Sequence, residues 1–168
     1  MGQAFVQVSQ SFRYWKPKFY LYLSYSAGLG ITEPDNFGYY LNHTFLGGMS
    51  YPFQGKKVWF STYLAYRHSP FTKVSHDVQG GFWWGAFSAN YKFNFTGNII
   101  VWTENKNRGD AYTASMQGKR FYLYSDPQIW YGISKKIAVG SKVTLAYHLF
   151  TYENRFQAYP TLAMKYQL

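Results

Sequence analysis

Apolar and polar residues alternate with a period of two along almost the whole chain. Over positions 155–168, Phe156, Ala158, Pro160, Leu162, Met164, Tyr166 and Leu168 share one parity, and Arg155, Gln157, Tyr159, Thr161, Ala163, Lys165 and Gln167 share the other. Successive side chains of a strand point to opposite faces, so this pattern predicts a strand with one apolar and one polar face. The same reading predicts strands over 4–15, 18–30, 38–51, 56–67, 77–87, 91–106, 120–133, 141–152 and 155–168, nine in all. No segment carries a helical period. The connections alternate between short ones, at 16–17, 52–55 and 135–140, and longer ones, at 32–36, 68–75 and 107–118. Within 77–87, Gly81 and Gly85 stand among aromatic residues, as expected of a curved wall in which aromatic rings cover glycines.

Long alternating strands with short turns on one rim and long loops on the other are the habit of outer-membrane barrels, whose strands need about 9–11 residues to cross. The fold expected is therefore all-β: an antiparallel transmembrane β-barrel of about 8–12 strands, as one domain over 1–168. A soluble barrel of the lipocalin kind alternates in the same way but buries its apolar face. Here that would crowd many Phe, Tyr and Leu side chains into a narrow interior. The closing residues, with polar Thr161, small Ala163, aromatic Tyr166 and apolar Leu168, resemble the assembly signal of bacterial outer-membrane barrels. Leu168 stands where that signal usually ends in Phe. No cleavable leader is visible after Met1.

Composition sharpens this picture. Aromatic residues make up 23% of the chain, which suits aromatic girdles at two membrane interfaces. The chain is 47% hydrophobic, yet its mean hydropathy is −0.33, so apolar residues are dispersed among polar ones. Nothing approaches the run of about 18 apolar residues that a membrane helix needs; Ile99, Ile100, Val101 and Trp102 form one of the longest apolar runs. Cysteine is absent, which removes disulfide and thiolate chemistry.

The net charge is +10, but the basic residues fall one or two to a strand rather than in a patch, which speaks against nucleic acid as a partner. The polar parity holds nine basic residues (Arg13, Lys18, Lys57, Arg67, Lys92, Arg120, Lys142, Arg155, Lys165) and three acidic ones (Asp77, Glu104, Asp126). In a membrane barrel these line the lumen and favour anions or electron-rich solutes. Tyr20, Tyr22, Trp59, Tyr63, Trp83, Tyr122, Tyr124, Trp130 and Tyr159 interleave with them. Two readings stay open: a slot in which flat solutes stack on the rings, or a lumen filled by its own side chains.

The segments Asp126-Pro-Gln-Ile-Trp130 and Tyr159-Pro-Thr-Leu-Ala-Met-Lys165 carry a family resemblance. Supporting segments are 12–15, 76–79, 95–97, 102–104 and 139–141. The chain resembles outer-membrane proteins of Bacteroidota that are similar to the nucleoside-specific channel family (Tsx-like). The resemblance implies a twelve-stranded barrel in a Gram-negative outer membrane, so further N-terminal strands are expected beyond the nine read here. It implies passage of nucleosides and carries over Trp102, Glu104, Asp126, Gln128 and Trp130 as lumen residues. Arg120 and Tyr122 join them as candidate solute-binding residues on the same parity.

No catalytic or metal signature accompanies these residues. The histidines are His43, His68, His76 and His148; only His148 shares the lumen parity with Asp126, and no triad signature surrounds it. His76 and Asp77 lack further ligand partners in sequence, so neither metal nor cofactor is expected. The glycine pairs at 47–48 and 80–81 fall within strands and make no phosphate loop. The function expected is passive uptake of small polar solutes, nucleosides among them. Two alternatives remain: a non-conducting structural barrel in an outer-membrane complex, and a lipid-modifying barrel enzyme. The partners expected are outer-membrane lipids and lipopolysaccharide, the barrel-assembly machinery and other subunits of such a complex.

Overall fold

The computed structural model describes residues 2–15, 18–31, 38–88, 90, 92–134, 136–149 and 153–166. Ten strands follow one another: β1 (Gly2–Trp15), β2 (Phe19–Ile31), β3 (Gly38–Gln54), β4 (Val58–Ser69), β5 (Ser75–Phe87), β6 (Phe93–Asn105), β7 (Lys119–Ser125), β8 (Gln128–Gly132), β9 (Ile137–Tyr147) and β10 (Phe156–Tyr166). They belong to one antiparallel sheet in the order β1-β2-β3-β4-β5-β6-β7-β9-β10, with β8 paired to β6 and β9. The protein is thus all-β, and no helix occurs among the described residues.

The predicted strand over 120–133 is two strands in the structure, which is why nine become ten. Pro127 has no N–H to give to a ladder and fixes its own φ, so pairing lapses at Asp126 and Pro127. The Pro127 carbonyl still accepts from Val143 N at 3.0 Å. The turn expected at 135–140 is tighter than its sequence suggests. Ile133 N and Ser134 N both donate to Ile137 O, so β9 already starts at Ile137. Its other end is set by His148, whose φ of 59° is foreign to a strand. The turns expected at 16–17 and 32–36 lie largely or wholly outside the described residues, as does Leu168.

Contacts within the chain gather into two compact units. One comprises Met1–Ser50, Leu64–Gln79 and Thr103–Arg120; the other comprises Tyr51–Tyr63, Gly80–Trp102 and Phe121–Leu168. In the first, β1 and β2 pair over their whole lengths, from Gly2 against Ile31 to Trp15 against Phe19. The β2–β3 ladder shifts register between Ser26 and Gly28. In the second, β9 and β10 pair without interruption from Tyr147 against Phe156 to Ile137 against Tyr166.

Burial follows the predicted parity, with a sign that matters. Leu64 and Tyr66 of β4 are 64% and 51% exposed, whereas Arg67 is 8% exposed. Asp77, Gln79, Glu104 and Asp126 are buried, while Phe45, Met49, Val78, Phe95, Ile99 and Phe121 are exposed. From β2 to β8 the apolar face of the strands is the more exposed and the polar face the more covered, whereas the described side chains of β1 are exposed on both faces and those of β10 nearly so. Arg13 and Tyr159, expected on the covered side, are exposed because the outermost strands have a neighbour on one side only.

On the covered face of the second unit, aromatic rings crowd glycines of a neighbouring strand. A Cβ on Gly81 would stand 2.0 Å from Tyr63 Cε1, and one on Gly85 would stand 2.1 Å from Trp59 Nε1. The rings take the space that a side chain would fill, as the sequence led us to expect for these two glycines.

Candidate functional site

Two groups of polar side chains stand out on the covered face, one in each unit. In the first unit, Arg67 of β4 reaches toward β5 and β6. Its Nη1 donates to Gln79 Oε1 and its Nη2 to Glu104 Oε1, each at 2.6 Å. Arg108 completes the carboxylate, donating from Nη2 to Glu104 Oε2 at 3.2 Å. Asp77 gathers a second set: the Ser75 hydroxyl donates to Oδ2, and Thr103 Oγ1 and Lys119 Nζ both donate to Oδ1. Of these pairs only Arg67–Glu104 is dry on both sides, and a pair so buried is held by its additional hydrogen bonds.

Arg108 enters from the loop between β6 and β7. That loop holds its own shape. Lys106 N donates to Gly118 O, Gly109 N to Asn107 Oδ1 at 2.9 Å, and Arg108 N to Thr113 Oγ1 at 2.9 Å. Gly109 has φ +88°, and a Cβ there would lie 2.6 Å from Lys73 N. The Arg108 guanidinium stands 4.9 Å from the Phe71 ring centroid. Because the Arg108 side chain is 30% exposed, Arg108→Ala is expected to lower stability by only about 1 kcal/mol. Chemical unfolding checks this, and a loss above about 3 kcal/mol would show that the pair behaves as a fully buried one.

In the second unit, Asp126 stands at the break between β7 and β8. Its backbone N donates to Asn98 O at 3.1 Å, and Ser125 Oγ donates to the same carbonyl at 2.7 Å. Its carboxylate Oδ2 lies 2.8 Å from Lys142 Nζ and accepts from Gln128 Nε2 at 3.3 Å. Gln128 Oε1 in turn accepts from Trp130 Nε1 at 3.0 Å. The Trp130 ring is closely packed by two residues. Lys165 Nζ sits 3.6 Å from its centroid, and Gly140 leaves the room it needs, since a Cβ there would meet the ring at 2.6 Å. Trp102 stacks on Tyr122 at 5.2 Å and 6°. Tyr122 also meets His148 edge-on.

The sequence-predicted residues therefore divide. Asp126, Gln128 and Trp130 form one hydrogen-bonded chain, and Trp102 and Tyr122 form a stack beside it in the same unit. Glu104 belongs to the first unit, in the Arg67 network, and half-buried Arg120 belongs to that unit too. Of the assembly-signal residues, Thr161 pairs with Lys142, Ala163 with Gly140 and Tyr166 with Ile137. His148 makes no catalytic pair with Asp126. Its Nδ1–H donates to Phe121 O at 2.7 Å, and Nε2 meets the Asn154 side chain at 2.8 Å.

Sequence reasoning left Gln79, Arg108, Lys119, Lys142 and Lys165 out of the site. Parity already placed Gln79, Lys142 and Lys165 on the polar face. Arg108 and Lys119 come from the loop and its exit, where alternation says nothing. No group of three or more His, Cys, Asp or Glu residues gathers as a metal site among the described residues.

The family described as Domain of unknown function (DUF5020) matches residues 1–168, the whole chain. The chain belongs to the DUF5020 family. No protein of curated function and no solved structure matches it.

Proposed function

We propose that this DUF5020 protein is a β-barrel of a Gram-negative outer membrane that lets small polar solutes, nucleosides among them, cross passively. The observation that carries the reading is the inversion of burial. Side chains such as Leu64, Tyr66, Val78 and Phe95 face outward while Arg67, Asp77, Glu104 and Asp126 are covered. Apolar side chains on water forfeit the main driving force of folding, at roughly 25 cal/mol per Å². A bilayer removes that penalty, and a wet lumen solvates the charges.

Exposed and half-buried rings of the apolar parity also gather in rows. In the second unit Phe60 stacks on Phe53 at 4.9 Å and meets Phe82 at 5.7 Å, and Phe82 stacks on Trp84. In the first, Tyr25, His43, Phe45, His68, His76 and Tyr66 are linked by ring contacts. Lipids and lipopolysaccharide would contact this face, and the assembly machinery would read the end of β10.

The test is reconstitution of protein purified from its membrane into liposomes, followed by swelling in a small sugar and in uridine. Swelling is expected in both, with Asp126→Asn changing the rate for uridine. Trp130→Ala is the poorer probe because it empties the space between Lys165 and Gly140. A second reading has its own observation behind it: paired charges and stacked rings fill the covered face, as in a non-conducting structural barrel. A folded protein that inserts yet gives no swelling in either solute would overturn the channel reading in favour of that one.

A further inference from the structure

We infer that the outward face of the first unit carries a binding site for the phosphorylated end of lipid A, with an acyl chain lying in a groove beside it. The inference deepens the barrel reading and rests on it. Leu23, Tyr25, Phe45, Gly47, Tyr66 and His68 line an almost wholly apolar cleft of about 500 Å³. Ligand sites usually measure about 300–1,000 Å³. Gly47 keeps the cleft open, since a Cβ there would meet only Leu23 Cδ2, at 3.8 Å. Polar groups gather at its loop end. β4 ends one residue after His68, and β5 begins one residue before His76. The two imidazole rings lie 5.2 Å apart. His76 Nδ1 shares a hydrogen bond with the Tyr66 hydroxyl, which leaves Nε2 unpaired among the described residues. His68 touches Phe45 and has no hydrogen bond among those residues. Its ring nitrogens are open to contact rather than sealed.

An unmet imidazole N–H against hydrocarbon is a standing cost, so His68 and His76 call for a polar partner at their level. Charge decides which. Lys73 lies exposed in the loop between the two histidines, and its ammonium has no partner among the described residues. Lys119 Nζ donates to His76 O. The acid next to them, Asp77, is buried and bonded by Ser75, Thr103 and Lys119. Imidazole donors and positive charge at the end of an apolar groove match a phosphate carried on hydrocarbon chains. The loop at 70–74 belongs to the rim of longer connections, which faces the exterior in outer-membrane barrels. In that leaflet the phosphorylated lipid is lipid A.

The probes are lipid A and its dephosphorylated form, each offered to the folded protein in detergent and counted per chain by native mass spectrometry. Lipid A is expected to be retained about five-fold or more over the dephosphorylated form. His68→Phe keeps a ring against Phe45 and removes both nitrogens, so it should bring that preference to within about two-fold. Gly47→Leu fills the cleft and should weaken retention of both lipids alike. Equal retention of the two lipids, retention of neither, or a preference untouched by His68→Phe would each overturn the site. Phosphatidylglycerol held as tightly as lipid A would overturn it too, because the contact would then be with anionic lipid in general. Liposomes of phosphatidylcholine separate the two ideas. Protein that inserts there yet shows no preference for the phosphorylated lipid leaves the barrel standing and removes the site. Protein that does not insert removes the barrel reading, and the site with it.

Discussion

Glu104→Ala lowers the stability of the folded protein by about 3–5 kcal/mol, the largest loss expected of any single charge removal in this chain. The Glu104 side chain is 4% exposed and that of Arg67 is 10% exposed, so little water can take over the partnership. With the carboxylate gone, Arg67 keeps its hydrogen bond to Gln79 and loses its counter-charge at 2.6 Å. Arg108 loses its anchor as well, but can turn to solvent. The Arg67 guanidinium is then left in a dry region without that counter-charge. Urea unfolding followed by tryptophan fluorescence measures the change. The double variant Arg67→Met with Glu104→Leu should recover most of the loss, because exchanging both members of a buried pair for apolar residues is often neutral or stabilising. A single variant within about 0.5 kcal/mol of the parent would mean that the network is wet and weak.

Gly48→Ala is expected to prevent stable pairing of β3 with β4, at a cost above the usual overpacking range of about 1–3 kcal/mol. A Cβ on Gly48 would lie 2.1 Å from Leu64 O and 2.4 Å from Ala65 Cα. Both obstacles are backbone, so no rotamer change relieves them and the neighbouring strand itself must move. Gly81→Ala is the informative comparison. Its obstacle is the Tyr63 ring, at 2.0 Å from Cε1, and a ring can turn about χ1 at the expense of its stack with Trp83 at 5.2 Å. The Gly81 variant should therefore fold and unfold at lower denaturant, whereas the Gly48 variant should give little folded protein. Equal folding yields for the two would show that β4 gives way as easily as a side chain does.

Neither prediction could have been written from the residues alone. Alternation tells which side of a strand a residue occupies, and it did so for Arg67, Asp77, Glu104 and Asp126, all of which are covered. What it omits is the partner across the sheet. Arg67 and Glu104 are 37 residues apart in sequence, and two strands carry other polar residues that parity would allow Arg67 equally well. Register selects among them, and register is a property of the hydrogen-bonded ladder and its bulges rather than of any one segment.

The sequence by itself determined the strand-rich class, the two alternating faces of each strand and the polar, aromatic character of one of them, because all three follow from a period of two set by backbone geometry. Only the tertiary structure decided that Asp126 pairs with Lys142, that Lys165 settles on Trp130, that Arg108 comes in from a loop and that Pro127 divides one expected strand in two. Those outcomes depend on which strands lie side by side and at what offset. Long-range pairing sets that offset, and local alternation is the same for every even shift.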